Sequence, residues 1–212
     1  MSLTLYLLRH GETECSRNHA FCGSIDSELT PEGVEMAKAF AAAYSSTPWR
    51  AIFSSPMRRT IETAKPLYTT IGMQPQLRDG LREINYGAWE GKTPEVISQE
   101  YHDDYLRWSA DPAWYAPNGG ELAVTIASRA MQVIEEIKHL YSSGNVLVVT
   151  HKATIRIILC SLLGIDVGRF RYRWGCPVGS VSIVEFTEHG PMLQTLADRT
   201  HLDARLRNLG GT

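Results

Sequence analysis

The sequence predicts an α/β fold, a three-layer αβα sandwich with a mostly parallel central sheet. Short apolar runs alternate with amphipathic stretches along the chain, and this order is typical of a parallel sheet covered by helices on both faces. The run Val146–Thr150 is almost entirely β-branched or apolar, as expected for a strand buried on both faces. With 212 residues and an ordinary 43% of hydrophobic residues, the chain is expected to form a single domain over residues 1–212.

The elements follow from periodicity and from helix start signals. Thr30 followed by Pro31 predicts a helix beginning there, with Thr30 as N-cap. The segment Ser54-Ser55-Pro56 is expected to end a strand and to cap the next helix. The predicted strands are 5–9, 51–53, 146–150, 181–186 and 192–196. The predicted helices are 30–44, 57–68, 93–110, 121–141 and 154–163.

Charge and hydropathy disfavour several function classes. The net charge of -2 provides no general positive field, so we expect no nucleic-acid or membrane-surface partner. No apolar run has the roughly 18 residues of a membrane span, and no signal peptide is recognised.

The cysteines lack the spacing of a metal site, so no metal is predicted. We expect all four cysteines to be reduced, in a cytoplasmic protein. They are Cys15, Cys22, Cys160 and Cys176.

Two histidines follow predicted buried strands at equivalent points. His10 comes after the first strand and His151 after the strand that ends at Thr150. Ligands of parallel sheets bind beyond the carboxyl ends of the strands, so both imidazoles are expected in one crevice. Arg9 accompanies His10, and Arg59 lies one turn into the helix after the second strand. Arginine forks match phosphate oxygens, and a neutral imidazole can attack phosphorus, so a phosphoryl site is predicted.

Motifs along the chain resemble the histidine phosphatase (phosphoglycerate mutase-like) superfamily, in its phosphatase branch. They are Arg9-His10-Gly11-Glu12-Thr13, Leu29-Thr30-Pro31-Glu32-Gly33, Ser54-Ser55-Pro56-Met57-Arg58-Arg59-Thr60, Leu81 to Gly91 around Glu83, Pro117-Asn118-Gly119-Gly120-Glu121 and Thr150-His151. The resemblance implies a phosphomonoester hydrolase with a phosphohistidine intermediate, acting on a small phosphorylated metabolite without cofactor or metal. His10 would take the phosphoryl group, while Arg9, Arg59 and His151 would hold its oxygens. Glu83 would protonate the leaving group and then activate water.

Four further residues are candidates for contacting the substrate. Ser16 and Lys152 stand where the resemblance suggests Asn and Gly, and both are candidate substrate-binding residues, together with Cys22 and Gly23. Lys152 is a candidate for binding a carboxylate or a second phosphate. We also expect the site to accept inorganic phosphate or another oxyanion, and the protein to be a monomer or homodimer.

Several alternatives stay open. Arg58 competes with Arg59 as phosphate ligand, and Glu12 and Glu90 compete with Glu83 as the acid. Arg169, Arg171 and Arg173 alternate, so in an extended segment they share one face. That face is a candidate for guiding anions into the crevice, although a solvated edge strand is the preferred interpretation.

The alternative functions are a phosphoglycerate mutase and a bisphosphatase of the fructose-2,6-bisphosphatase type. A helical insertion at about 92–118 is expected to cover the site. Its acidic residues outnumber its basic ones, which disfavours a mutase that must retain a bisphosphate. Hydrolysis is therefore the preferred prediction.

Overall fold

The computed structural model of the chain describes residues 2–209 and contains one mixed sheet. Its strands are β1 (Leu3–Arg9), β2 (Trp49–Ser54), β3 (Gln76–Leu77), β4 (Gly144–Thr150), β5 (Val181–Thr187) and β6 (Gly190–Asp198), in the order β3-β2-β4-β1-β5-β6. The four strands β3, β2, β4 and β1 run parallel, whereas β5 and β6 form an antiparallel edge. The predicted α/β class with a mostly parallel sheet is confirmed.

Helices pack on both faces of the sheet. They are α1 (Glu14–Arg17), α2 (Pro31–Tyr44), α3 (Arg58–Ile71), α4 (Pro94–Glu100), α5 (His102–Ala110), α6 (Ala123–Leu140), α7 (Lys152–Leu163), α8 (Phe170–Arg173) and α9 (Ala204–Arg207). Side chains of β1 alternate between the two faces: Leu5 and Leu7 pack with α6 and α7, whereas Leu8 packs with α2 and α3. Two apolar layers therefore sandwich the sheet.

The first long helix begins as the sequence predicts. Pro31 is its first residue, and the side chain of Thr30 accepts a hydrogen bond from the backbone N–H of Gly33. The prediction that Ser54-Ser55-Pro56 caps α3 is wrong. The N-cap is Met57, which makes no side-chain capping bond, and Ser55 instead faces His151. Because a serine hydroxyl both donates and accepts, it can form a hydrogen bond with a side chain at a neighbouring strand end instead of capping the helix.

The three alternating arginines are helical rather than extended. A 3₁₀ turn covers Val167–Arg169 and α8 follows it directly, so the predicted edge strand at Arg169, Arg171 and Arg173 is wrong. The side chain of Asp166 accepts from the backbone N–H of Gly168 and starts the turn. Helical spacing separates Arg171 from its neighbours and places it against Trp108 of α5.

Two of the cysteines form a disulfide. Cys15 and Cys22 are bonded to each other, whereas Cys160 and Cys176 are buried free thiols. The prediction that all four are reduced is therefore wrong for this pair. Cys15 lies in α1 and Cys22 in the loop that follows this helix, and the path of the loop brings the two residues together. A spacing of seven residues is not a sequence pattern that predicts a disulfide. Within residues 2–209, no helix is both long and apolar enough to cross a membrane.

Candidate active site

The two histidines lie side by side at the carboxyl edge of the sheet. In the parallel register of β1 and β4, Arg9 is paired with Thr150. His10 follows Arg9 and His151 follows Thr150, so the two histidines lie next to each other. Their ring centroids are 5.3 Å apart. The juxtaposition predicted from the strand ends is therefore present in the structure.

Hydrogen bonding determines which nitrogen of His10 carries the proton. Nδ1 lies 2.8 Å from the carbonyl oxygen of Gly11, and a carbonyl can only accept. In the neutral ring Nδ1 is therefore the N–H donor and Nε2 carries the lone pair. Burial, together with the guanidiniums of Arg59 and Arg9, holds the pKa of His10 well below its usual 6.5. His10 is thus a neutral imidazole with an unprotonated Nε2 at physiological pH.

His151 has the opposite tautomer. Its Nδ1 accepts from Nε of Arg59 at 3.2 Å, so the proton is on Nε2, which donates to Oγ of Ser55 at 2.9 Å. The ring is fully buried, and burial, Arg59 and His10 hold its pKa well below 6.5. Both ring nitrogens therefore have protein partners in this structure.

Two arginines, Arg9 and Arg59, line a cleft together with His10. Arg9 is 3% exposed and donates to the carbonyl of Cys176 at 2.6 Å, and burial lowers its pKa to about 10, so it stays charged at neutral pH. Arg59 is 2% exposed and donates from Nη1 and Nη2 to the carbonyls of the loop 22–25. The competing candidate, Arg58, points to solvent, where it pairs with Glu62 and Glu28. The structure therefore places Arg59, and not Arg58, in the cleft.

The carboxylate of Glu83 is held at the start of α7. It accepts from the backbone N–H groups of Ala153 at 3.1 Å and Thr154 at 3.2 Å, and from the Thr154 hydroxyl at 3.1 Å. Glu83 is buried and lines the same cleft as His10, Arg9 and Arg59.

The other two acidic candidates have structural partners instead. Glu90 accepts from the backbone N–H groups of Gly23, Ser24 and Ile25, and so fastens the loop 22–25 that Arg59 binds from the other side. Glu12 accepts from the Thr30 hydroxyl and pairs with Arg17. Neither carboxylate lines the cleft. The role of Glu90 was not apparent from the sequence, since it joins segments that are remote in the chain.

Three of the four candidate substrate-binding residues lie in the cleft. Ser16, Cys22 and Lys152 line the cleft, whereas Gly23 does not. The hydroxyl of Ser16 already accepts from the Thr13 N–H and donates to the Thr13 carbonyl, as part of a capping box. A Cβ on Gly23 would come 1.8 Å from the carbonyl oxygen of Ile84, so a glycine is required there by close backbone approach.

The cleft has a volume of about 540 Å³ and is lined by two further cationic residues, of which Arg171 was considered from the sequence and Arg156 was not. Arg156 and Arg171 line it beside Lys152. Arg156 comes four residues after Lys152 in α7, so helical spacing alone could have placed the two on one face. The predicted insertion also contributes, since Pro94, Glu95 and Trp108 of α4 and α5 form part of the lining.

Comparison with known proteins identifies the family. The model of the histidine phosphatase superfamily (branch 1) matches residues 5–199. The chain belongs to this superfamily. It is 30% identical to phosphoserine phosphatase 1 of Hydrogenobacter thermophilus, over 93% of this chain and 93% of that protein. The family resemblance seen in the sequence motifs is confirmed, and so is the predicted activity class, because its relatives are phosphatases.

Solved structures with the histidine phosphatase fold are similar to the structure of this chain. YhfR of Bacillus stearothermophilus superposes with a TM-score of 0.87 at 27% identity, covering 95% of this chain and 100% of that chain. The mycobacterial glucosyl-3-phosphoglycerate phosphatase in complex with inorganic phosphate has a TM-score of 0.83 at 26% identity, covering 94% and 99%. The same phosphatase has also been solved with VO3. Relatives of this chain therefore bind phosphate and vanadate oxyanions.

Proposed function

We propose that this histidine phosphatase hydrolyses a small phosphomonoester through a phosphohistidine formed on His10. The single observation that carries the proposal is that His10, whose Nε2 is unprotonated, lines a cleft with Arg9 and Arg59 and packs against the ring of His151. A neutral imidazole flanked by buried cations combines a nucleophile with charge stabilisation for the transferring phosphoryl group.

The first step forms one bond and breaks another. Nε2 of His10 attacks phosphorus, and the bond between phosphorus and the ester oxygen breaks. The acid form of Glu83 gives its proton to that oxygen, so the leaving group departs as an alcohol. The Nδ1–H bond to the Gly11 carbonyl is kept throughout and orients the ring.

The second step regenerates the enzyme. The carboxylate of Glu83 takes a proton from a water molecule, the water oxygen attacks phosphorus, and the N–P bond breaks. Inorganic phosphate leaves and Nε2 of His10 regains its lone pair. Arg9 and Arg59 supply positive charge to the phosphoryl oxygens in both steps.

We propose that His151 joins the phosphate after the substrate arrives. Its Nδ1 accepts from Arg59 and its Nε2–H binds Ser55 in this structure, so donation from Nδ1 to a phosphoryl oxygen requires a second proton, which the monoanion of the incoming phosphomonoester supplies. A phosphate anion placed beside the ring favours the imidazolium form. His151 then holds an oxygen, while the guanidinium of Arg59 turns its Nε–H towards the same anion.

We further propose that residues 92–118 act as a lid within a single domain. Trp108 of α5 and Pro94 of α4 line the cleft, so movement of this pair of helices would change access to His10. A lid of this kind limits the entry of bulk water and bulky esters. The relatives named phosphoserine phosphatase and glucosyl-3-phosphoglycerate phosphatase support a small phosphorylated metabolite as substrate.

The test is hydrolysis of p-nitrophenyl phosphate in excess EDTA, combined with labelling by a ³²P-phosphomonoester that is quenched in alkaline SDS, which preserves a phosphohistidine. The wild-type protein should release phosphate without added metal and retain acid-labile label. His10→Ala should abolish both signals, whereas His139→Ala, at an exposed position in the last turn of α6, should keep them. Unchanged turnover in His10→Ala would show that the nucleophile is another residue. Conversion of 3-phosphoglycerate to 2-phosphoglycerate without phosphate release would instead identify a mutase.

A further inference from the structure

The cleft has more positive charge than a single phosphoryl group requires. Five cationic residues line it: Arg9, Arg59, Lys152, Arg156 and Arg171. Only two carboxylates do, and one of them, Glu83, is bound at the start of α7, whereas the other, Glu95, is exposed. Desolvated cations grouped in this way are costly unless an anion completes the site.

Two of these cations have no acidic partner within residues 2–209. Lys152 makes neither a side-chain hydrogen bond nor an ion pair in the described part of the chain, and Arg156 has a buried Nε without a partner. The two residues are one turn apart on α7, so their side chains leave the helix on the same face. Most arginines of the described chain that form an ion pair with a carboxylate lie at the surface. Lys152 and Arg156 differ from them, because both line the cleft and neither is paired with a carboxylate of the described residues.

Arg171 of α8 lines the same cleft as this pair. Its guanidinium lies 3.9 Å from the centroid of the Trp108 ring and donates to the Ser109 hydroxyl at 3.2 Å. These contacts fix the guanidinium plane against the α5 part of the lid. A charged group fixed in this way loses little entropy when it binds an anion.

We propose that Lys152, Arg156 and Arg171 form a second anion subsite, which selects phosphomonoesters that carry another anionic group close to the scissile phosphate. The inference rests on the proposed function and specifies its substrate class. The first subsite, formed by His10, Arg9 and Arg59, takes the phosphoryl group that is transferred. The second takes a carboxylate or a second phosphate, which lies towards α8 and the lid.

Physical properties of Lys152 agree with such a role. Burial and the nearby guanidiniums of Arg9 and Arg156 lower the pKa of Lys152 to about 7. The free site thus stores unfavourable charge repulsion, which a bound anion relieves. Other groups that act on Lys152 are the Cys176 thiol and the Glu83 carboxylate, both of which favour its charged form.

The experiment compares substrates that differ in one group. The ratio of kcat/KM for 3-phosphoglycerate to that for glycerol 3-phosphate measures how much a carboxylate near the same type of phosphate ester increases kcat/KM. The ratio for fructose 1,6-bisphosphate to fructose 6-phosphate reports the value of a second phosphate. We expect at least one ratio to exceed about tenfold, since a charge-assisted hydrogen bond contributes about that factor or more. The larger ratio identifies which anion the subsite prefers.

Variants assign the effect to the cationic residues. Lys152→Met and Arg156→Met should each lower the favoured ratio about tenfold, and the double variant should bring it close to one. Arg173→Met is the matched control, because Arg173 is exposed, belongs to α8 and does not line the cleft; its ratio should equal that of the wild type. Loss of the preference in Arg173→Met as well would overturn the assignment, since it would indicate a general field.

The wild-type ratios alone also test the inference. If the wild-type protein hydrolyses p-nitrophenyl phosphate but both ratios are near one, the second subsite is refuted and the phosphatase function stands. If no phosphomonoester is hydrolysed at all, the proposed function itself fails. A preference that survives intact in the folded double variant, checked by circular dichroism, would also refute the subsite.

Discussion

Nε of Arg59 donates to Nδ1 of His151 at 3.2 Å, and this single contact connects the helix after β2 to the strand end of β4. The remaining donors of Arg59 bind the carbonyls of Ile25, Cys22 and Gly23. One buried guanidinium therefore sets the tautomer of His151 and holds the loop that borders the cleft. This contact therefore organises the proposed phosphoryl site and the loop beside it.

The two buried imidazoles predict a loss of stability in acid. Both have a folded-state pKa well below 6.5, whereas the unfolded chain protonates near that value. The unfolded state thus binds more protons below about pH 6.5, and the free energy of unfolding should fall there by up to ~1.4 kcal/mol per pH unit for each histidine. Urea unfolding between pH 5 and 8 measures the slope. His10→Gln should make it shallower, and an identical slope in that variant would contradict the assignment.

Glu83→Gln should affect substrates according to their leaving groups. The amide keeps the shape of the side chain but cannot transfer a proton to the ester oxygen, so kcat/KM for glycerol 3-phosphate should fall by about 10²- to 10⁴-fold. The loss should be much smaller for p-nitrophenyl phosphate, whose phenolate leaves without protonation. Glu90→Gln serves as control, because Glu90 binds the loop 22–25 and should show no such dependence on the leaving group. Equal losses for both esters would remove Glu83 from the acid role.

The disulfide between Cys15 and Cys22 should stabilise the wall of the cleft. Chain-entropy arguments for so short a loop give about 2 to 3 kcal/mol of unfolding free energy, which reduction should remove. Because the residues between them line the cleft, reduction should also raise KM for a phosphomonoester. Unfolding and kinetics with and without TCEP measure both effects. The double variant Cys15→Ser/Cys22→Ser should behave like the reduced protein and not respond to TCEP; a response there would point to Cys160 or Cys176 instead.

Substrate preference should depend on pH through Lys152. Its pKa of about 7 means that its charge is lost as the pH rises from 6 to 8, while substrate carboxylates stay ionised. The ratio of kcat/KM for 3-phosphoglycerate to glycerol 3-phosphate should therefore fall over this range. Lys152→Arg keeps a permanent charge and should show a flatter ratio. A ratio in the wild type that is constant with pH would exclude titration of Lys152 as the cause.

Close packing at Gly23 should make the loop 22–25 sensitive to a single methyl group. Gly23→Ala places Cβ against the Ile84 carbonyl and near the Glu90 carboxylate, so the loop must move away from both. We expect a loss of roughly 1 to 3 kcal/mol in unfolding free energy and a lower kcat/KM, because Arg59 loses its carbonyl partners. Gly72→Ala, in an open helix end, has no such contact and tests only the cost of a positive φ. Similar effects of both variants on kcat/KM would contradict the role of the loop.

The sequence by itself determined the class of the fold and the strand ends that matter. The β-branched run ending at Thr150 and the apolar run ending at Arg9 could be interpreted as buried strands, since short apolar runs of this length, bounded by polar residues, are typical of strands buried on both faces. Position at a strand end then predicted that His10 and His151 meet, because carboxyl ends of parallel strands lie on one edge. Thr30 and Pro31 likewise predicted a helix start from local chemistry alone.

Only the tertiary structure decided the partners of each side chain. The Cys15–Cys22 bond, the Glu90 contacts with the loop 22–25 and the contact of Arg59 with His151 depend on distances between segments that are remote in the chain or on loop paths without periodicity. The helical state of Arg171 was missed because an alternating pattern of arginines fits a strand, whereas packing on Trp108 overrides so weak a local preference. Periodicity encodes which face is buried; it does not encode which atoms meet across the cleft.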